Sequence, residues 1–340
     1  MGLFSFLTQE IAIDLGTANT VIIQDGKIVL DEPSVVAIDR KTEKLCAIGH
    51  EARQMEGRTP PGIETVRPLR DGVIADFNAA EQMIRGMIKK INSKSSFFSP
   101  ALKIVVCIPS GSTEVEIRAV RDSSEHAGGR EVYMIYEPMA AAIGIGLDVQ
   151  APEGTMIVDI GGGTTEIAVI SLGGIVTNKS IRIAGDDLTA DIIEYMSHQH
   201  NIKVGERTAE QIKINVGAAL SSLEEPPAPY VVQGPNRMTA LPVEVPVSYQ
   251  EISHCLEKSI HKIETAILSA LEQTPPELYA DIVNRGIYLA GGGAQLRGLD
   301  RRLSEKINIP FHIAEDPLRA VVRGTGIALK NIDKYPFLMR

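Results

Sequence analysis

The stretch Asp159-Ile160-Gly161-Gly162-Gly163-Thr164-Thr165-Glu166 separates two apolar runs that are rich in β-branched residues. Runs of this kind, bounded by glycine, predict two buried strands joined by a tight turn. Consecutive glycines let backbone N–H groups converge on an anion, because no Cβ blocks close approach. The turn is therefore a candidate phosphate loop, with Asp159 at its edge as a candidate Mg²⁺ group. A glycine-rich hairpin with a capping aspartate is the simpler alternative for this stretch alone.

The same pattern occurs a second time near the N-terminus. The segment from Ile11 onward aligns without gaps when Asp14 is laid on Asp159, and Gly16 then falls on Gly161. Each copy continues through a turn, 25–26 or 173–174, into a further apolar run, which is typical of a hairpin. The chain is therefore predicted to contain two related halves, whose loops grip one nucleotide from opposite sides.

Composition limits the classes of function. A chain of 340 residues is long enough for two domains, and its net charge of -9, without a basic stripe, argues against nucleic acid as a partner. The three cysteines, Cys46, Cys107 and Cys255, lie far apart and are expected to be buried thiols in a reducing cytoplasm. No apolar run approaches the roughly 20 residues of a membrane span, and the N-terminus does not fit a secretory signal.

Local patterns place other elements. Helix starts with capping-box spacing are predicted at four pairs: Asn78 and Glu81, Thr113 and Glu116, Thr208 and Gln211, and Ser248 and Glu251. The last of these opens a long helix with apolar residues to Leu271. Segment 57–68 is predicted to be an irregular exposed connection, and the proline-rich segment 224–247 to form a small edge-strand subdomain.

Three further segments invite interpretation. The run 287–290 enters Gly291-Gly292-Gly293 as a predicted strand, glycine loop and helix start, which is a ready nucleotide site. Gly324 and Gly326 interrupt the helical pattern of 320–332, which indicates close packing. Phe97 and Phe98 lie in a polar loop, either as a membrane-touching tip or folded back and buried.

Five segments, taken in order over the whole chain, resemble the ATPase superfamily of actin, heat-shock chaperones and sugar kinases. They are the two phosphate loops (14–20 and 159–166), two connectors (137–146 and 320–326) and an adenosine loop (289–296). Within it, residues 10–332 are similar to the MreB family of bacterial actins. The segments that carry this likeness are 14–20, 58–60, 67–76, Glu137-Pro138-Met139-Ala140-Ala141-Ala142-Ile143-Gly144 and Thr274-Pro275-Pro276-Glu277-Leu278.

The resemblance implies an α/β, actin-like ATPase fold. It has two related ribonuclease-H-like domains, each with a small subdomain, and a nucleotide cleft between them. Residues 1–145 would form the first domain, with a small subdomain at about 32–75 and the C-terminal helix 319–340 packed back on it. Residues 146–318 would form the second, with a small subdomain at about 185–247.

The resemblance also implies the site residues, with ATP and Mg²⁺ as cofactors. Those expected at the phosphates are Thr17, Ala18, Asn19, Gly161, Gly162, Gly163 and Thr164. Those expected at the ribose and adenine are Glu210, Gln211, Ile212, Lys213, Gly291, Gly292, Gly293, Ala294 and Gln295. Asp14 and Asp159 would hold Mg²⁺, largely through water.

For hydrolysis, the resemblance suggests that Glu137 orients the attacking water, with Thr164 beside it, and such positioning suits phosphoryl transfer. The alternative for Glu137 is an acid that only offsets the helix dipole next to Pro138. Tyr136 stands where the family usually has a second acid, so this chain departs from the family there.

The resemblance finally implies partners and location. The expected protein polymerises with ATP into polar or paired protofilaments on the inner face of the cell membrane, and guides wall elongation with membrane proteins. Lipid contacts would come from Leu3, Phe4, Phe6, Leu7, Phe97 and Phe98. A small-molecule kinase and a non-catalytic, nucleotide-sensing scaffold of the same fold are the competing interpretations.

Overall fold

The computed structural model describes residues 8–92 and 101–340. The strands are β1 (Thr8–Leu15), β2 (Asn19–Gln24), β3 (Lys27–Pro33), β4 (Val36–Asp39), β5 (Leu45–Ile48), β6 (Ile63–Val66), β7 (Leu69–Arg70), β8 (Val73–Ile74), β9 (Ala101–Ile108), β10 (Gly129–Tyr136), β11 (Thr155–Ile160), β12 (Thr165–Ser171), β13 (Gly174–Ile181), β14 (Tyr230–Pro235), β15 (Pro242–Val247), β16 (Ile287–Ala290) and β17 (Phe311–Ile313). The helices are α1 (His50–Met55), α2 (Phe77–Asn92), α3 (Glu114–His126), α4 (Glu137–Gly144), α5 (Gly185–Gln199), α6 (Glu206–Val216), α7 (Tyr249–Cys255), α8 (Glu257–Glu272), α9 (Pro276–Arg285), α10 (Leu299–Ile307) and α11 (Ala320–Lys330).

Two five-stranded sheets with the same topology form the framework. Sheet I has the order β10-β9-β1-β2-β3, and sheet II has the order β13-β12-β11-β16-β17. In each sheet, three strands form an antiparallel meander, and two more strands add in parallel to the first strand of that meander. The repeat that the sequence predicted is therefore present in the connectivity as well as in the residues.

Helices α4 and α11 cross where the two sheets meet. A Cβ on Gly144 would lie 1.8 Å from the carbonyl oxygen of Ala320, and a Cβ on Gly324 would lie 1.7 Å from that of Ala140. Only glycine permits this backbone contact, which explains a glycine inside a helix. One apolar cluster contains residues of both helices and of both sheets, so the core is continuous across the junction.

The lesser sheets are two hairpins and one three-stranded sheet. Strands β4, β5 and β6 form the three-stranded sheet, and β14 pairs with β15, as the proline-rich pattern predicted. The expectation of an irregular connection at 57–68 was wrong for its second half, since β6 pairs with β4 there. The division at 145/146 and the subdomain limits stay predictions.

Two of the four predicted capping boxes are confirmed, at Thr113 and Ser248. The other two were wrong. The Asp76 carboxylate accepts the N–H of Ala79 at 2.9 Å, so α2 begins before Asn78. Helix α6 begins after Gly205, which places Thr208 inside it. In both cases an earlier residue had already started the helix, and spacing alone does not reveal which start is used.

Two other expectations changed. The long helix predicted from Ser248 is divided into α7 and α8 at Leu256. Cys107 is buried and Cys255 is partly buried, but Cys46 is exposed, because its strand β5 lies at the edge of a small sheet. The proposed lipid contacts, residues 3–7 and 97–98, lie outside the described residues. Within residues 8–92 and 101–340, no helix is long and apolar enough to cross a membrane.

Candidate nucleotide site

The two predicted phosphate loops lie against each other between the sheets. The first loop joins β1 to β2 and contains Thr17 and Ala18, while Asn19 opens β2. A Cβ on Gly162 would lie 2.8 Å from the Cβ of Ala18, and a Cβ on Gly163 would lie 2.8 Å from Oγ1 of Thr17. Glycine at these two positions therefore allows the two loops to contact each other.

A third loop, which the sequence argument had not assigned to the site, completes this surface. Strands β7 and β8 form a hairpin whose turn residues, Asp71 and Gly72, have φ angles of 52° and 76°. The N–H of Gly72 donates to Oγ1 of Thr17 at 3.0 Å, and a Cβ on Gly72 would lie 2.7 Å from Cγ2 of Thr164. Asp-Gly between two short strands is a hairpin signal, so the turn could have been predicted from the sequence. Its contact with Thr17 could not.

Asp14 and Asp159 occupy equivalent positions, one residue before the ends of β1 and β11. Burial raises the pKa of Asp14 to about 6, although Sγ of Cys107 donates to its carboxylate at 3.1 Å. Burial also raises the pKa of Asp159 to about 7, with further contributions from the charges of Asp14 and Glu166. The charge of Asp14 disfavours that of Asp159, so a nearby cation would stabilise the ionised form.

Glu137 lies at the start of α4, directly after β10. Burial, followed by the charges of Glu166, Asp159 and Asp14, raises its pKa well above the usual value. A role limited to the helix dipole does not require these charge neighbours, although it is compatible with them. The charge of Glu137 is therefore coupled to those of Asp14 and Asp159, the aspartates of the two phosphate loops.

The chemistry of these residues suits Mg²⁺ only as a hydrated ion. Among the residues that the structure describes, no group of three His, Cys, Asp or Glu side chains is placed to hold a metal directly. Two aspartates with raised pKa values, next to phosphate loops, nevertheless fit a cation that keeps its waters and is completed by phosphate oxygens. The residues thus fit a hydrated Mg²⁺ and not a protein cage.

Helix α6 carries the predicted ribose and adenine residues on different faces. Nζ of Lys213 pairs with Glu210 at 2.7 Å and donates to the carbonyl oxygen of Gly185 at 2.7 Å. Because the N–H of Gly185 donates to the carbonyl oxygen of Gly161 at 3.1 Å, Lys213 is tied to the second phosphate loop. Ile212 packs in the core and Gln211 is exposed, so the structure does not bring these two side chains together with Glu210 and Lys213.

The predicted adenosine loop packs on the second phosphate loop. A Cβ on Gly291 would lie 2.4 Å from Oδ1 of Asp159, and a Cβ on Gly293 would lie 2.2 Å from Cγ2 of Ile160. Ala294 is buried, while Gly292 and Gln295 are exposed. The expected helix start is a single 3-10 turn at Gly292–Gln295, and the next α-helix begins at Leu299.

An ion-pair cluster that sequence reasoning missed joins the two halves. The Arg67 guanidinium contacts Asp186 at 3.0 Å and also pairs with Glu206. Asp186 is in turn bonded to the second phosphate loop, since its N–H donates to the carbonyl oxygen of Gly162 at 2.7 Å. No local pattern signals this contact, because Arg67 and Asp186 lie 119 residues apart.

Comparisons with known proteins identify the relatives of this chain. The family model described as MreB/Mbl protein matches residues 8–336. The cell shape-determining protein MreB of Escherichia coli (strain K12) is 49% identical over 339 residues, which cover 98% of this chain and 96% of the relative. The cell shape-determining protein Mbl of Bacillus subtilis (strain 168) is 46% identical over 329 residues, with 96% and 98% covered.

Solved structures agree as well. MreB5 of Spiroplasma citri bound to AMPPNP superposes with a TM-score of 0.90 at 37% identity, and the match covers 96% of this chain and 97% of that one. The MamK double helical filament has a TM-score of 0.79 at 20% identity, with 97% and 100% covered, and it supports the fold alone. The fold is thus the actin-like one that the resemblance implied, and the chain belongs to the MreB/Mbl family.

Proposed function

We propose that this chain is an actin-like cytoskeletal ATPase that sets cell shape by forming nucleotide-dependent filaments. The observation that carries the proposal is the meeting of the two phosphate loops, with Asp14 and Asp159 at equivalent strand ends and Glu137 in their electrostatic reach. The names of the relatives, which are cell shape-determining proteins, support the cellular role. The nucleotides bound to the Spiroplasma citri proteins, AMPPNP and ADP, support an adenine nucleotide as ligand.

In this proposal, the backbone of 17–19 and 161–164 binds the phosphates, and Lys213 with Glu210 orients the ribose. Asp14 and Asp159 would hold Mg²⁺ through water, and the ion would neutralise phosphate charge. Glu137 orients the attacking water, and Thr164 fixes the geometry beside it. Phosphoryl transfer needs positioning and charge neutralisation more than covalent help, so these groups suffice for slow turnover.

The test begins with purified protein and Mg·ATP. Electron microscopy should show filaments for the wild type and none for Asp159→Ala, with and without anionic liposomes. Absence of filaments in every condition, with turnover stimulated by a metabolite, would replace this proposal by a small-molecule kinase. Filaments that form without any phosphate release would instead indicate a non-catalytic, nucleotide-sensing scaffold.

Catalysis is tested separately. Glu137→Ala should keep ATP affinity and lower the rate of phosphate release by roughly 10²-fold, the usual scale for a positioned acid or base. Glu131→Ala, which removes an exposed carboxylate from the same strand β10, is the matched control and should leave the rate unchanged. Equal rates for the wild type and Glu137→Ala would remove Glu137 from the mechanism.

Membrane association is part of the same proposal and rests on six apolar residues: Leu3, Phe4, Phe6, Leu7, Phe97 and Phe98. Wild-type protein should float with anionic liposomes in a density gradient. A Phe97→Ser, Phe98→Ser double variant should float less. If it floats equally well, the loop is not the anchor, and the N-terminal residues become the next variants to test.

A further inference from the structure

A buried carboxylate on β12, that of Glu166, has no part in the function proposed above. This residue is 0% exposed and is the last one of the second phosphate loop (159–166). It accepts hydrogen bonds from the Ser110 N–H at 2.9 Å, from the Ser110 hydroxyl and from the Ser180 hydroxyl. A buried charge is costly unless it is hydrogen-bonded, so three donors on one carboxylate mark a built arrangement.

The donors come from different sheets. Ser180 lies on β13 directly opposite Glu166, so this contact is internal to sheet II. Ser110 follows β9 of sheet I, so its two hydrogen bonds cross between the halves. The crossing is reinforced by close packing, since a Cβ on Gly111 would lie 2.8 Å from the Cβ of Ser180. Nδ2 of Asn178 also donates to the carbonyl oxygen of Ser110 at 3.4 Å.

The Ser110 loop is also the neighbour of Glu137 in sheet I. Strands β9 and β10 are parallel, and Ile108 pairs with Tyr136 at their carboxyl ends. Glu137 follows Tyr136 immediately, just as the loop with Ser110 follows Ile108. Carboxyl ends of adjacent parallel strands lie together, so a contact that holds Ser110 after β9 also restrains Glu137 after β10.

We propose that Glu166 is a positioning residue for hydrolysis: by fastening Ser110 to sheet II, it fixes Glu137 of sheet I relative to Thr164 of the second phosphate loop. The inference rests on the proposed ATPase function, and it adds a residue that acts through others. A misplacement of about 1 Å can cost up to about 10²-fold in rate without weakening substrate binding.

The two serines provide a matched pair of variants. Ser110→Ala and Ser180→Ala each remove one hydroxyl donor from the same carboxylate, but only Ser110→Ala weakens the link between the sheets. Glu166→Gln removes the charge and leaves one acceptor oxygen, so the amide N–H₂ of the variant has to donate to a serine hydroxyl oxygen where the wild-type carboxylate accepts. We expect about tenfold lower kcat for Glu166→Gln, with ATP Kd changed less than about twofold. Ser110→Ala should lower kcat clearly more than Ser180→Ala does.

The measurements are kcat from steady-state phosphate release, ATP Kd by calorimetry and melting temperature, for the wild type and each variant. Wild-type kcat in Glu166→Gln, or equal losses in the two serine variants, would overturn the inference and leave the ATPase function standing. A wild type that binds ATP but releases no phosphate would instead refute the proposed function, and the inference with it. If Glu166→Gln does not fold, the comparison of Ser110→Ala with Ser180→Ala decides the matter.

Discussion

The crossing of α4 and α11 gives the sharpest test of how the two halves are joined. In Gly324→Ala, the new Cβ would lie 1.7 Å from the carbonyl oxygen and 2.6 Å from the carbonyl carbon of Ala140. Real Cβ atoms stay at least 3.0 Å from such neighbours, so the two backbones must separate by about 1.3 Å. Because the obstacle is backbone, no change of rotamer relieves it.

The magnitude follows from two opposing effects. Alanine is favoured over glycine inside a helix by about 1 kcal/mol. Overpacking of a close interface costs about 1–3 kcal/mol and more where backbone must move, and the separation also loosens the buried cluster at the junction. We expect a net loss of about 2 kcal/mol or more in the free energy of unfolding.

Gly326→Ala, on the same helix, is the matched control. Its Cβ would lie 3.3 Å from Cγ2 of Ile23, a side-chain atom that can shift by a few tenths of an ångström. We expect Gly326→Ala to be neutral or more stable by up to about 1 kcal/mol. Both variants gain the same helix propensity, so their difference isolates the contact with Ala140.

The assay is urea unfolding of the nucleotide-free protein, followed by circular dichroism, together with thermal melting. At about 2–4 °C per kcal/mol, Gly324→Ala should melt roughly 4–8 °C below the wild type. The reasoning is refuted if Gly324→Ala is at least as stable as Gly326→Ala.

Three further predictions concern charged groups. In metal-free protein, Asp159→Asn should raise the free energy of unfolding. The pKa of the Asp159 carboxyl is raised to about 7 in the folded state, so the wild type loses stability as pH rises from about 4 to 7. The full shift corresponds to at most about 4 kcal/mol at pH 8, and urea titrations should show a larger gain for the variant at pH 8 than at pH 5. Arg67→Ala leaves Asp186, beside the second phosphate loop, without its ion-pair partner, so the two halves should separate more readily. Small-angle scattering should then give a larger radius of gyration for the variant than for the wild type. An unchanged radius would contradict this expectation. Burial would raise the pKa of Glu32, but the Lys90 ammonium and the His50 backbone N–H hold it below the ordinary value. The stabilisation by this carboxylate is therefore present at neutral pH and lost on acidification. Glu32→Gln should destabilise the protein at pH 7 and flatten the loss of stability below about pH 5, whereas parallel pH profiles of the two proteins would disprove the link.

Much of the fold was readable from local pattern. The duplicated meander, the glycine turns and the strand before Gly291 depend on alternation, on β-branched residues and on turn chemistry among near neighbours. Where local signals competed, they misled: Asp76 starts α2 ahead of Asn78, and Gly205 precedes a helix assigned to Thr208. Both errors concern an element's boundary and leave its type unchanged.

The sequence by itself determined that two related halves would each present a glycine loop and an aspartate, because these features depend on residues close together in the chain. Only the tertiary structure decided that Gly72 would reach Thr17, that Arg67 would pair with Asp186, and that Ser110 would be held by Glu166. Those contacts join residues 55 to 119 positions apart. They form because strand register and helix packing fix where each loop points, and neither is encoded in a local pattern.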